Sequence, residues 1–570
     1  MTAMTRSSRR STMPPRRWGS SLRWSSLSRP LTLAALAVVP VVVLGVFFVL
    51  PVVGMLALGF WSEGSFDPVG VLEVLARPRV HRVLWFTVWS ASVATAVSVL
   101  LGLPAAHALY RLEFRGRQLV RAALLVPFVL PTVVVGVAFR ELLGESGPLG
   151  FLGLDGTPVA IVAGLVFFNV AVVIRSVGAT WASLDPRPGE AAAVLGASPF
   201  QVFRTVTLPA LRPAIVSSAS VVFLFCATAF GVVLTLGGLR YASVETEIYL
   251  LTTNLLDLQA AAALSVLQLV AVAALLVIAG RLRAVPDPSV ARAVVRPRRP
   301  GRGDRVALTS TVLLLVVVAA PIATLVAGSL RVGDGWGLGN YEALTTTGSN
   351  QALLVPVTAA LVTSLRTAVD ATWMALSLGL LVAFLVTRRS RSRAERRVRG
   401  GLDGFFMLPL GVSAVTLGFG FLVTLGSPPL ELRDSALLVP IAQALVALPL
   451  VVRTIVPVLA GIDDRQRQAA ASLGAGPLRA ILTVDVPVVW KPLLAAGGFA
   501  FAVSLGEFGA TSFLARDENP TLPVVIYRLI GHPGELNYGM ALAASVVLAA
   551  TTALVMLVVE RLRVPSVGAF

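Results

Sequence analysis

Apolar residues along this chain come in long unbroken blocks, not in the alternation of a strand or the single stripe of a surface helix. Blocks long enough to cross a bilayer lie near 31–60, 84–110, 119–139, 157–177, 214–237 and 258–280. Six more follow near 306–330, 364–387, 404–425, 436–458, 493–515 and 539–560. The pattern predicts an all-α polytopic membrane protein with about twelve transmembrane helices. Between the two sets, residues 281–305 are rich in Pro and Arg and lack apolar periodicity, which reads as a linker. The expected organisation is a basic tail at 1–30, a first membrane domain at 31–280, the linker, a second membrane domain at 306–563 and a short tail at 564–570.

Composition supports this class. Of 570 residues, 56% are hydrophobic and 13% charged, with a mean hydropathy of +0.84, more apolar surface than a water-soluble domain can hide. The formal net charge of +18 would suggest nucleic acid in a soluble protein. Here the arginines gather in the tail, the linker and short loops between apolar blocks, which is the positive-inside bias, so nucleic acid is not expected as a partner. The bilayer is. Residues 1–30 hold seven arginines and no acid, and the block that follows is too long for a signal peptide, so the N-terminus is expected in the cytoplasm of an inner or plasma membrane. Both halves then begin inside and are related as parallel repeats. The single cysteine, Cys226, lies within an apolar block, and His81, His107 and His532 are scattered, so neither a disulfide framework nor a metal site is expected. Lys491, the only lysine, follows Trp490, whereas a phosphate-binding loop needs Gly-Lys-Ser/Thr. No constellation for covalent or acid–base catalysis is present, and the chain is not expected to be an enzyme.

One stretch occurs twice. GEAAAVLGASPFQVFRTVTLPALRP, Gly189 to Pro213, recurs as RQAAASLGAGPLRAILTVDVPVVWKP, Arg467 to Pro492. Glu190 pairs with Gln468, Gly196 with Gly474 and Pro209 with Pro487, each 278 positions apart, so the chain is a duplication. Each copy reads as a short Ala-rich helix, a glycine turn, a second short helix and a proline that ends it. Ala191 and Ala192, like Ala469 and Ala470, present a narrow surface suited to a groove on a partner. Such a knob between two membrane spans can carry force from a soluble motor.

The pattern Glu-Ala-Ala, three residues, Gly, then an apolar-Pro pair resembles the coupling loop of ABC importer permeases. Glu190, Ala191, Ala192, Gly196 and Pro209 match it in the first half, and Gln468, Ala469, Ala470, Gly474 and Pro487 in the second. The glutamine in the second copy weakens any need for a charge there. The resemblance implies the MetI-like permease fold, a substrate path between the halves and two separate ABC ATPase subunits docked on the knobs. It further implies an extracytoplasmic solute-binding protein, with ATP and Mg held by the partner ATPases and no cofactor in this chain. Two permease domains in one chain resemble the fused permeases for thiamine and for ferric iron. The stretches Ser504–Gly531 and Thr235–Leu251 are more similar to the thiamine branch, so thiamine or a thiamine phosphate is the expected substrate. Ferric iron is the alternative, although that branch usually carries Lys-Glu-Leu-Pro where this chain has Gly506-Glu507-Phe508-Gly509. Sulfate- and molybdate-type permeases carry a similar run, usually as separate subunits. A secondary transporter with two parallel six-helix repeats is the rival from another class.

Two residues are candidates for the substrate path. Glu507 falls mid-span, where a carboxylate should face a wet cavity, pair with an arginine or cap a broken helix. Asn169 is a buried amide suited to an interhelical hydrogen bond or to the path.

Overall fold

The computed structural model describes residues 37–62, 65–238, 240–282, 297–387, 393–426 and 430–562. The expected tails at 1–30 and 564–570 and most of the linker lie outside these residues. The first repeat holds the helices α1 (Ala37–Phe60), α2 (Pro68–Ala76), α3 (Pro78–Arg111), α4 (Arg117–Leu125), α5 (Thr132–Leu143) and α6 (Pro158–Ser183). It continues with α7 (Arg187–Val194), α8 (Pro199–Ala227), α9 (Gly231–Gly237), α10 (Val244–Thr253) and α11 (Leu258–Leu282). The second repeat holds α12 (Arg305–Ser329), α13 (Val357–Thr387), α14 (Arg393–Met407), α15 (Ala414–Thr424) and α16 (Leu438–Ala460). Then come α17 (Asp464–Ser472), α18 (Pro477–Ala480), α19 (Ile481–Leu505), α20 (Thr511–Leu514), α21 (Leu522–Gly531) and α22 (Glu535–Leu562).

Ten of the described helices are long and apolar enough to cross a membrane, not twelve. The predicted span at 119–139 is the pair α4 and α5, bent by 106° around Pro131, and counts as an eleventh if taken as one broken span. The predicted span at 404–425 resolves into the end of α14, a short 3₁₀ turn and α15. With 11 residues, α15 is about 16 Å long and cannot cross a hydrocarbon core of about 30 Å alone. The blocks at 214–237 and 493–515 are also broken, after α8 and α19, and short helices follow each break. Hydropathy sums apolar residues over a window and cannot see a backbone that bends within it.

The core of each repeat is a packed helix set, with α3 against α6 and α8 in the first and α13 against α16 and α19 in the second. Small residues make the close approach: Ala91, Ala94, Ala105 and Ala106 on α3, and Ala371, Ala375 and Ala383 on α13, are buried. The linker is anchored at its C-terminal end. Arg298 donates its backbone N–H to Arg111 O (2.9 Å) and accepts from Glu113 N (2.8 Å). Its guanidinium holds Asp304 through two bonds of 2.7 and 2.8 Å, and Asp304 also meets His107 Nε2 at 3.0 Å. The start of the second repeat is thereby fastened to the end of α3.

Candidate functional site

The two knobs share one backbone construction. Each opens on an aspartate whose Oδ1 accepts from the N–H two residues on: Arg187 N to Asp185 and Arg465 N to Asp463, both 3.0 Å. Each Ala-rich helix ends in a Schellman motif. Ala197 N donates to Ala192 O (3.1 Å) and Gly196 N to Ala193 O (3.0 Å); Ala475 N donates to Ala470 O (2.9 Å) and Gly474 N to Ala471 O (3.0 Å). Gly196 and Gly474 sit at φ +89° and +83°, the left-handed region, with open space where a side chain would go. Glycine is required there by conformation, not by crowding. Glu190, Ala191, Gln468 and Ala469 are exposed, and Ala192 and Ala470 half-buried. Leu195 and Leu473, one position before each glycine, are 87% and 88% exposed. Two leucines bared at equivalent tips suit a partner surface.

The second short helix runs straight into the membrane. Pro209 and Pro487 do not end it, contrary to expectation. Each follows one π-helical turn, Phe203–Thr207 and Ile481–Asp485, closed by Leu208 N to Phe203 O and Val486 N to Ile481 O. A proline lacks the N–H for an α-helical bond and clashes with the carbonyl four residues back, and the wider turn absorbs both defects. The knobs differ in how their bases are fastened. In the first, Phe203 stacks on Trp181 of α6 with centroids 6.2 Å apart. In the second, Arg467 bonds buried Asp485 (2.8 Å) and Asp464 (3.1 Å). The first-half counterparts of Arg467 and Asp485 are Gly189 and Thr207.

Between the halves lies an aromatic cluster that hydropathy did not pick out. Phe230 and Phe508 stack at 5.2 Å, Tyr249 meets Phe230 at 5.4 Å, and Tyr527 meets Phe508 at 5.5 Å. Phe230 and Phe508 are 278 apart, as are Tyr249 and Tyr527. A residue that touches its own repeat mate lies on the pseudo-twofold axis, where a path between two parallel repeats must run. The glycine after each phenylalanine makes room for a short helix. A Cβ on Gly231 would come within 3.2 Å of Val133 N at the start of α5, and one on Gly509 within 3.2 Å of Val415 N at the start of α15. On the side away from the knobs, Phe513 reaches Tyr249 at 5.4 Å. Phe513 also lines a cavity of about 480 Å³ with Arg433, Asp434, Arg516 and Glu518. One ring thus separates that polar vestibule from the axial cluster. The repeat offset could have found this cluster, because Phe230-Gly231 and Phe508-Gly509 align without a gap.

Glu507 sits at the break after α19, 6% exposed. Its Oε1 accepts from Ala510 N (2.7 Å) and its Oε2 from Thr511 N (3.0 Å), while Thr511 Oγ1 donates to Glu507 O (2.9 Å). Both carboxylate oxygens are engaged by the turn they cap, so the structure makes Glu507 the cap of a broken helix rather than a path-lining acid. Asn169 lies within the first repeat, donating to Leu165 O (2.9 Å) and to Cys226 Sγ on α8 (3.3 Å). It is the expected interhelical bond and stands apart from the aromatic cluster.

Comparison with known proteins matches the family described as "Binding-protein-dependent transport system inner membrane component" to residues 98–292 and 375–564, once per repeat. The chain is 27% identical over 511 residues to the thiamine transport system permease protein ThiP of Brucella abortus (strain 2308), covering 84% of this chain and 90% of the relative. ThiP of Escherichia coli (strain K12) is 27% identical over 482 residues, with 83% and 87% covered. A probable ABC transporter permease protein, y4fN of Sinorhizobium fredii, is 26% identical over 513 residues, with 84% and 87% covered.

Proposed function

The chain belongs to the binding-protein-dependent transport system inner membrane components, multi-pass transport permeases rather than enzymes, and from that premise we propose that it imports thiamine or a thiamine phosphate. The substrate reading is supported by the relatives named for thiamine and by coverage of both repeats in one chain. Two ABC ATPase subunits dock on the knobs at 187–207 and 464–485, and a solute-binding protein delivers substrate on the opposite face. The knob face, with the N-terminus, is cytoplasmic. The observation that carries the coupling role is the pair of Schellman-capped loops with Leu195 and Leu473 bared at their tips.

ATP binding closes the partner subunits on each other and draws the knobs together. The continuous helices α8 and α19 carry that motion to the breaks where Phe230 and Phe508 meet, and the path opens toward the binding protein. Hydrolysis in the partners resets it. This chain makes and breaks no covalent bond; it shifts between two packings whose balance its partners bias.

Uptake of labelled thiamine and of labelled ferric iron in cells with and without the gene tests the reading. Loss of thiamine uptake alone is the expected result. Loss of iron uptake alone would overturn the substrate while leaving the coupling scheme in place.

A further inference from the structure

Three glutamates are buried among the described residues, and two of them are accounted for. Glu507 caps its own turn. Glu247, on α10, forms a bidentate pair with Arg79 on α3, with Nη2 to Oε2 at 3.0 Å. The third, Glu245, is 0% exposed. It accepts hydrogen bonds from Gln268 Nε2 on α11 and from Ser413 Oγ (2.9 Å), and among the described residues no cation faces it. Its repeat mate is Pro523, so the duplicated scaffold does not require an acid at this position. An ionisable group buried in a membrane interior with neutral partners only, one of them from the opposite repeat, is a candidate for the solute pathway.

Three further observations point to a ligand. Gln268 is 7% exposed, and its Oε1 has no hydrogen-bond partner although its Nε2 is committed to Glu245. The site therefore holds a carboxylate and an unused amide oxygen together, both acceptors that call for a donor carrying positive charge. Tyr249 lies four residues beyond Glu245 on α10, on the same face, with its ring in the axial cluster. Ser413, in turn, belongs to the second repeat, at the start of α15. The same short turn meets Gly509, beside Phe508, where a Cβ would come within 2.9 Å of Ala414 Cβ. Glu245 is thus closed off by the repeat that the transport cycle moves. Separation of the halves takes Ser413 away and leaves the carboxylate facing the path.

We propose that Glu245, with Gln268 and the Tyr249 ring, is the contact within the path that selects a flat, positively charged heteroaromatic solute. The ring stacks in the space that Phe230 and Phe508 vacate, its positive charge lies over Tyr249 and against Glu245, and an N–H on the solute meets Gln268 Oε1. This inference rests on the thiamine reading above, since thiamine combines a cationic ring with an amino-substituted one.

The test uses the complete importer, with its ATPase and binding-protein partners, in proteoliposomes supplied with labelled thiamine. Glu245→Gln keeps the shape and one acceptor oxygen and removes the charge. Uptake should fall by roughly tenfold or more, the scale on which a desolvated charge contact acts, while ATP hydrolysis stimulated by loaded binding protein persists. Tyr249→Leu should lower uptake in the same way, and Tyr249→Phe should leave it near wild type. Wild-type uptake and half-saturation in Glu245→Gln would overturn the proposal. So would a parallel loss of uptake and stimulated hydrolysis, which marks a structural role. If Glu245→Gln does not assemble, equal uptake by Tyr249→Leu and Tyr249→Phe overturns it instead. Absence of thiamine uptake in the wild-type importer overturns the substrate reading and this inference with it, an outcome distinct from wild-type uptake that the variants leave untouched.

Discussion

Phe230 and Phe508 occupy the same position in the two repeats and stack on one another, centroids 5.2 Å apart and planes 26° from parallel. Self-contact of this kind needs both repeats to bring the same turn to the axis. Each flanking tyrosine packs on the phenylalanine of its own repeat, so the seal is built twice from one plan.

Breaking that stack should loosen the closed state. An aromatic pair contributes about 0.5–1.5 kcal/mol beyond its buried area, so Phe508→Leu or Phe230→Leu should shift the closed-to-open balance by roughly two- to tenfold. The expected outcome is raised ATP hydrolysis by the assembled importer without binding protein. Basal hydrolysis identical to wild type in both variants would remove the rings from the switch.

The glycines at the knob tips are predicted to matter for conformation alone. A β-branched residue in the left-handed region loses about 1–2 kcal/mol, so Gly196→Val or Gly474→Val should lower solute moved per ATP hydrolysed, with the membrane helices intact. Asparagine tolerates that region better, and Gly196→Asn should retain more coupling. Equal coupling in the Val and Asn variants would mean that the turn is not what transmits force.

Arg467 and Asp485 form the second knob's internal clamp. Removing the arginine alone leaves a buried carboxylate unpaired, a change that destabilises by about 3–5 kcal/mol. Arg467→Gly should therefore melt or proteolyse the knob at lower temperature. Arg467→Gly with Asp485→Thr, which reproduces the residues of the first knob, should recover most of the loss. A double variant no better than the single one would show that the pair does more than neutralise itself.

Glu507 is predicted to act on stability, not on solute recognition. Glu507→Ala deprives Ala510 N and Thr511 N of their acceptor and should cost about 1–2 kcal/mol, the range of a lost helix cap. A thermal shift with unchanged half-saturation for solute is expected. A changed half-saturation at wild-type stability would return Glu507 to the path.

Much of this was legible along the chain, and the misses share a physical cause. The knobs were visible because glycine and alanine at a constant spacing serve local backbone geometry, and local geometry is written in consecutive residues. The aromatic pair at the axis lay within blocks that hydropathy treats as uniform, although the same offset aligns it. The sequence leaves Glu507 open between a wet cavity, an arginine partner and a helix cap, because composition records a charge inside an apolar block but not the hydrogen-bond donors that a broken helix turns toward it. Pro209 and Pro487 read as terminators in the sequence because their compensation, one turn of wider helix, is invisible without the backbone.

Apolar block length, arginine placement and the 278-residue offset suffice for a duplicated, all-helical membrane protein with two matching loops, since each depends on the bilayer or on neighbours in sequence. The bends in α4–α5 and after α19 depend on what the other repeat presents at the break. So do the meeting of Phe230 with Phe508 and the closure of Glu245 by Ser413. These last two are contacts between residues 278 and 168 apart, and packing of the two halves against each other decides them.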